Sequence, residues 1–425
     1  MTNNSYRILA ENVTMNNNTH ITGLNNNDLI VGPSGSGKTR GYVIPNLLTA
    51  NESLIIADTK GNLRTMYEAQ LKKNGFHVMD LNFKDLEKSH LGYNPLAFVK
   101  KTGTTYGDEY SEQEIIAISE ALCPVRTTRD PYWEESAQNY LQCLISYVLN
   151  CLPENEKNID SVIRLAEQIG TEEFNEMMEE EIDINPESLL AKKFRQLRSN
   201  HTADKTDACI ISFVFRALGR LSSSEILGFS TNQKNVDIKR IGREKIALFL
   251  EISDVDRSKD TLVNLFYTQA FKLLLEEADE RLPECRLKVP VRFILDDFAS
   301  NTIIPHFDNL ISVIRSRDIS VSLIIQSISQ LDNLYGSYSS KTIINNCDNT
   351  LYLGGTDIQT AQYFATKLNK TPYTVLNLPL QDAYLFTRGQ APKKVQKYLL
   401  EQHQEILMEQ TEEIKEYFPC QTYSI

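Results

Sequence analysis

No stretch of this chain is apolar over the length a bilayer crossing needs. The first residues, Met1 to His20, are polar and Asn-rich where a leader would show a charged segment followed by an apolar one. The sequence as given therefore reads as soluble. Histidine is scarce, and the seven cysteines, at positions 123, 143, 151, 209, 285, 347 and 420, form no C-x-x-C pair. Neither a zinc site nor a disulfide framework is indicated, and the cysteines read as buried cytosolic thiols. Base is outnumbered by acid, 44 Lys and Arg against 56 Asp and Glu, for a formal net charge of −12. A surface that binds nucleic acid everywhere needs clustered cations, so only a local basic channel stays open.

What is present is enough apolar residue, 41% of 425, to bury a large core, and a length that suggests two or three domains. One stretch carries unambiguous chemistry. Asp28-Leu29-Ile30-Val31 is an apolar strand that runs into Gly32-Pro33-Ser34-Gly35-Ser36-Gly37-Lys38-Thr39, the pattern G-x-x-x-x-G-K-T, and then into helix-compatible sequence. Glycines at 32, 35 and 37 let the backbone wrap, so that successive N–H groups, those of Ser34 and Ser36 among them, point at a phosphate with the positive end of a helix behind them. Lys38 reaches the β and γ oxygens of a nucleotide, and the Thr39 hydroxyl holds Mg²⁺.

In chain order, the residues up to Asn27 form a lead-in with Tyr6, Ile8, Leu9 and Val13 as its core contacts. A helix over Tyr42 to Ala50 is bent by Pro45. Ser53 to Ala57 is a buried strand ending in Asp58-Thr59-Lys60-Gly61, which is either an ordinary turn with a surface ion pair or part of a site, since open α/β sheets gather ligands at the carboxyl ends of their strands. A helix over Asn62 to Asn74, closed by Gly75, leads to a strand at His77 to Leu81. Tyr93-Asn94-Pro95-Leu96 and Thr102 to Gly107 then mark a boundary, beyond which strand signals vanish and apolar residues repeat at helical spacing to about Leu227. Within that stretch Glu172 to Glu187 carries eight acids and no base, and Lys192, Lys193, Arg195, Arg198 and Lys205 follow, a segregation that suits a solvated face or a partner-binding surface equally. Trp133 reads as buried in this stretch.

Strands resume at Ile246 to Ile252, apolar throughout as in a sheet covered on both faces, and a helix follows at Leu262 to Leu275. Phe293-Ile294-Leu295-Asp296-Asp297 delivers two carboxylates at a strand tip. Downstream of a phosphate loop, Asp296 is the expected Mg²⁺ carboxylate, with Asp297 set to orient or deprotonate the attacking water. Arg315 and Arg317 read either as surface ion-pair partners or as an arginine finger. Gln326, at the end of a strand over Val321 to Ile325, can bond the attacking water or the γ-phosphate. Further strands are expected at Thr350 to Leu353 and Ala383 to Phe386, and a charged helix or tail at Glu401 to Phe418.

These motifs in this order, the phosphate loop, Asp-Thr-Lys-Gly, Tyr-Asn-Pro-Leu, Leu-Asp-Asp-Phe-Ala, Ile-Arg-Ser-Arg and Ile-Ile-Gln-Ser-Ile-Ser-Gln-Leu, resemble the coupling ATPases of conjugative type IV secretion, the TraG/TraD-like kind. The likeness runs from about Tyr6 to Arg388 and includes Asn346-Cys347-Asp348 and Leu353-Gly354-Gly355. It implies a RecA-like P-loop NTPase domain with a mostly parallel central sheet, in two parts at 1–102 and 230–400. An inserted all-α cargo-recognition domain at 103–229 and a tail at 401–425 complete the chain. ATP and Mg²⁺ are the implied cofactors, with Lys38 and Thr39 on phosphate and metal, Asp296 on the metal through water and Gln326 sensing the γ-phosphate. Arg317, with Arg315 as rival, is the arginine offered to a neighbouring subunit.

The implied partners are single-stranded DNA, a relaxase or relaxosome, type IV secretion channel components and, in a homo-hexamer, further copies of the chain, at the cytoplasmic face of the membrane. Members of the family usually begin with membrane-spanning helices, which implies here a soluble fragment, a naturally short form or a partial reading frame. They usually carry Glu after the Mg²⁺ ligand, where this chain has Asp297. The leading reading is thus DNA translocation driven by ATP. The alternatives are a DNA pump unrelated to secretion and a nucleotide-gated docking module with little hydrolysis.

Overall fold

A computed structural model describes residues 5–104, 107–125, 131–200, 204–219, 221, 224–230, 234–298 and 303–402. Most of the expected C-terminal helix, together with Cys420, lies outside the described residues.

The lead-in is a β-hairpin, β1 (Tyr6–Ala10) with β2 (Val13–Asn16). Alternation along β1 turns Arg7 and Leu9 inward, while Tyr6 is 43% exposed. The expectation that Tyr6 is a core contact is thereby corrected, and an arginine takes the inward place.

The central sheet is built from β3 (Asp28–Val31), β4 (Ser53–Asp58) and β5 (His77–Asn82), then β8 to β13 after a gap in which a small hairpin, β6 (Lys101–Thr104) with β7 (Gly107–Tyr110), appears where no strand was expected. β8 is Ile246–Glu251, β9 Val291–Leu295, β10 Ile319–Ile325, β11 Asn349–Tyr352, β12 Asp382–Thr387 and β13 Lys393–Gln396. Among the described residues these nine strands pair in the order β13-β12-β11-β3-β10-β9-β4-β8-β5, parallel except where β12 meets β11 and β13. The fold is α/β with a mostly parallel sheet.

Alternate residues of each inner strand feed separate apolar clusters. Leu29 and Val31 of β3, Ile55 of β4 and Leu323 of β10 face one side, with the helix Asp260–Asp279. Ile30, Leu54, Ile56 and Ile324 face the other, with Tyr42, Val43, Leu47 and the helix Leu63–Lys73. Burial on both faces is what lets the strands be apolar throughout.

Between β7 and β8 the described elements are helical. The helix Tyr132–Cys151 is the centre of that region, packed against the helices Glu112–Leu122, Leu189–Asn200 and Asp204–Gly219. Trp133 is half-buried and stacks on Phe213, ring centroids 6.4 Å apart. Asn94 caps the short turn Pro95–Phe98 and donates to the Lys157 carbonyl at 2.8 Å, while the buried Tyr93 hydroxyl donates to Gln269 at 2.5 Å. The Tyr-Asn-Pro-Leu motif thus pins the sheet's helix 260–279 to the helical region. Of the cysteines, Cys123, Cys143 and Cys347 are buried free thiols, but Cys209 is exposed on its helix, against expectation.

Candidate nucleotide-binding site

The phosphate loop leaves the carboxyl end of β3, the strand between β11 and β10. Gly35 and Gly37 adopt φ of +77° and +93°, a region open to glycine and strained for other residues. At Gly32 a side chain would lie 2.9 Å from Leu353 Cβ, so only glycine fits the start of the loop. The segment after the loop is not a bent α-helix. Residues Thr39–Val43 form a π turn, closed by the Ile44 N–H on the Thr39 carbonyl, and the α-helix proper is Ile44–Thr49. Pro45 explains the difference, because its ring clashes with the carbonyl four residues back in a regular helix, and the wider turn ahead of it accommodates the ring.

Lys38 folds back over the loop and donates to the carbonyls of Gly32 (2.7 Å) and Pro33 (2.9 Å). Burial holds its ammonium below the ordinary lysine range, opposed by Asp297 and Asp296, and Lys60 lies near enough to push in the same direction as burial. From the neighbouring strands come the acids. Asp296 follows β9, and its carboxylate accepts from the Thr39 hydroxyl at 3.1 Å. Burial first, and the Asp297 charge second, push the Asp296 carboxyl up to about 6. Asp297 sits at φ +51°, its N–H on Asp296 Oδ1, and accepts from Gln326 Nε2 at 3.4 Å. Lys38, Thr39, Asp296, Asp297 and Gln326, distant in sequence, therefore meet at the carboxyl edge of the sheet, over its middle strands.

Arg315 and Arg317 do not. They lie in the turn Ile314–Arg317, ahead of β10, whose seven residues (roughly 20 Å of strand) separate them from Gln326 and the loop. Arg317 pairs with Asp279 at 2.9 Å, and the exposed Arg315 side chain has no partner among the described residues.

The Asp-Thr-Lys-Gly turn resolves into two roles. Asp58 is buried and accepts from the N–H groups of Gly61 (2.9 Å) and Leu63 (2.7 Å), which makes it a turn and helix-start residue. Lys60 is exposed beside the loop.

One feature gave no sequence signal. At the amino end of β3, Asp28 accepts from Arg7 through two bonds (2.6 and 3.0 Å), from the Tyr42 hydroxyl (2.7 Å) and from Asn349 (3.0 Å). The neighbouring Arg292 pairs with Glu52 at 2.5 Å. Asp28, with Arg292 from the interior of an apolar strand, is almost wholly buried.

This site suits a nucleotide-bound divalent cation. Among the described residues no group of three or more His, Cys, Asp and Glu could hold a metal by itself. A hydroxyl and a carboxylate beside a phosphate cradle are what Mg²⁺ requires when phosphates and water complete its shell. Burial and the Asp297 charge push the Asp296 carboxyl up against the opposing pull of Lys38, and a cation held there would favour its ionised form.

A phosphate loop between inner strands of a mostly parallel sheet, with acids at the tip of a nearby strand, defines a P-loop nucleotide-binding α/β protein. Residues 3–420 match the family described as type IV secretory system conjugative DNA transfer, and the chain belongs to that family of conjugative coupling proteins. It is 22% identical over 365 residues to protein VirD4 of Rhizobium radiobacter, covering 84% of this chain and 50% of that protein. It is 21% identical to VirD4 of Agrobacterium fabrum, covering 84% and 52%. The chain thus spans about half the length of the curated relatives it matches. In fold it is similar to the coupling protein TrwB solved with ADP and Mg²⁺, at a TM-score of 0.67 and 17% identity over 92% of this chain and 88% of that one. The sulphate complex of TrwB lacking its first 70 residues gives 0.65 and 17% over 88% and 85%. Among the described residues no helix is long and apolar enough to cross a membrane.

Proposed function

We propose that this chain is the motor portion of a coupling ATPase, which hydrolyses ATP to move relaxase-bound single-stranded DNA into a type IV secretion channel. The observation that carries the reading is the convergence of Lys38, Thr39, Asp296, Asp297 and Gln326 at the carboxyl edge. TrwB, whose fold is similar, binds ADP with Mg²⁺.

In this reading the loop N–H groups and Lys38 hold the β and γ phosphates, leaving the Gly32 and Pro33 carbonyls that Lys38 now touches. Thr39 and Asp296 would hold Mg²⁺, which would neutralise charge on the phosphates. Asp297 accepts the proton of the attacking water, and Gln326, already bonded to Asp297, orients that water. Arg317 or Arg315 is too far along β10 to act on its own chain's nucleotide. An arginine there acts only across an interface, which fits a ring of identical subunits, a homo-hexamer at the cytoplasmic face of the membrane. The helical region between β7 and β8 is the cargo-recognition unit, and the exposed acids of the helix Glu172–Ile184, of which Glu179 pairs with Arg198, suit a basic partner.

The deciding experiment is steady-state ATP hydrolysis with and without single-stranded DNA, across a salt series. Turnover stimulated by DNA at low salt is the expected result. ATP binding with negligible turnover at every DNA concentration favours the docking module, a reading kept in view by the short Asp297 side chain and its long 3.4 Å bond to Gln326.

A further inference from the structure

Beyond the residues that converge on the loop from β3, β9 and β10, one cation reaches it from the sheet's far edge. β12 runs against β11 and β13 runs against β12, so β13 points the same way as β3 and ends at the carboxyl edge. The next residue, Lys397, donates from Nζ to the carbonyl of Ser36, inside the phosphate loop, at 3.0 Å. The chain then stays on the loop and its helix. The Tyr398 carbonyl lies where a side chain on Gly41 would come within 3.1 Å, Leu400 packs on the apolar cluster around Tyr42 and Val43, and Glu401 pairs with Arg40. Residues 397–401 form a strap along the β11 side of the loop, across it from Asp296 and Gln326.

A peptide unit is planar and trans, so its C=O and N–H point in opposite directions. With the Ser36 carbonyl fixed on Lys397, the N–H of Gly37 must turn away from the strap. Gly37 is the last loop residue before Lys38, and its N–H is one of those a phosphate loop offers to its ligand. Burial lowers the Lys397 ammonium from the ordinary lysine range, as expected of a lysine set into the structure and not waving in solvent.

We propose that Lys397 is a positioning residue for nucleotide binding: by holding the Ser36 carbonyl it presets the Gly37 N–H for phosphate, and it couples the loop to the strap that leads into the C-terminal segment. The inference rests on the phosphate-loop reading above. Its test is titration of the full chain with a fluorescent ADP analogue and Mg²⁺, for wild type, Lys397→Met, Lys397→Arg and Lys38→Ala, beside thermal unfolding without nucleotide. Lys397→Met, which keeps the stem and loses the donor, is expected to weaken ADP about tenfold with an unshifted melt, and its effect on ATP hydrolysis should fall on KM more than on kcat. Lys397→Arg is expected to recover most of the affinity. If Lys397→Met binds as wild type while Lys38→Ala does not, the proposal is overturned and the phosphate-loop reading stands. If neither substitution changes binding, that reading falls and the proposal falls with it. Should Lys397→Met melt early, Lys397→Gln, which retains a shorter donor, decides: affinity recovered with the melt still low supports the proposal, and affinity that tracks the melt overturns it.

Discussion

The two ends of β3 hold the same kinds of residue and treat them oppositely. At the amino end Asp28 is saturated, with an arginine, a tyrosine and an asparagine bonded to its two oxygens at 2.6 to 3.0 Å and almost no solvent. At the carboxyl end Asp296 has one hydroxyl at 3.1 Å and the N–H of Asp297, and its carboxyl is pushed up by burial with a like charge beside it. Lys38 there is spent on backbone carbonyls. A charge whose bonds are complete within the chain holds the fold together, whereas one left short of partners is set for a ligand.

That contrast is broken most severely at the saturated end. Asp28→Ala leaves Arg7 buried with its main anion gone and takes one of the two partners of the Tyr42 hydroxyl, leaving it Ser322, so a loss of about 3–5 kcal/mol is expected. Urea unfolding measures it, through a lower midpoint at unchanged slope. A loss under about 1 kcal/mol would mean the network is not the clamp its geometry suggests.

The unsaturated end should answer in function. Lys38→Ala is expected to reduce ATP turnover at least about 10²-fold, because it removes a cation from the phosphates in a site shielded from water. Its melting temperature without nucleotide should stay within a few degrees of wild type, since the ammonium contributes little to the core. Undiminished turnover would end the motor reading.

Which of these charges was legible beforehand follows from the same contrast. The phosphate loop, the Asp296-Asp297 pair and Gln326 announce themselves because each ends an apolar strand, and a polar residue at a strand tip in a parallel sheet has few structural reasons to be there. Strands β3 to β5 and β8 to β12 and their order along the chain were legible from apolar runs, which burial demands, whereas the polar edge strand β13 and the two small hairpins carry no such run. Asp28, Arg7 and Arg292 gave no such signal. Their partners come from as far as Asn349, and nothing in Val291-Arg292-Phe293 separates a buried ion pair from an edge charge. Lys397 was hidden for a different reason, as a lysine after a polar edge strand reads as protection against sheet-to-sheet pairing. The π turn at Thr39–Val43 was half visible: Pro45 predicts an irregularity and leaves its form to the packing of Tyr42 and Val43.

A pH experiment sharpens the comparison at the carboxyl end. Asp296 has its carboxyl raised from 3.8 to about 6 in the folded chain. A raised carboxyl favours the folded state at low pH, so this contribution is complete below about pH 4 and is lost as pH rises through about 6. Without nucleotide, Asp296→Asn should therefore gain on wild type across that window, by on the order of 2 kcal/mol once partial exposure is allowed for. Parallel stability curves for the two proteins from pH 4 to 7 would show that the carboxylate is better solvated than its surroundings indicate.

The smallest expected signal tests the one pair of charges that fits neither end. Arg315 and Arg317 sit at the amino edge with the structural network, yet Arg317 is only half-buried in its pair with Asp279, and the exposed Arg315 lacks any partner among the described residues. If Arg317 completes the site of an adjacent subunit, a Lys38→Ala subunit still offers an intact arginine, and an Arg317→Ala subunit still offers an intact phosphate loop. Random mixing in equal amounts then joins the two at about a quarter of the interfaces of a closed ring. Turnover should recover to about that fraction of wild type, from two proteins that are each inactive. The mixture should be assayed at high protein concentration with DNA present, with sedimentation reporting co-assembly, because separate rings would give nothing for a trivial reason. Recovery with Arg315→Ala in place of Arg317→Ala moves the role to Arg315. No recovery with either variant in proven mixed rings takes both arginines out of the neighbouring site and leaves Arg317 its ion pair with Asp279 at the amino edge, and the division between the two ends of the sheet is then complete.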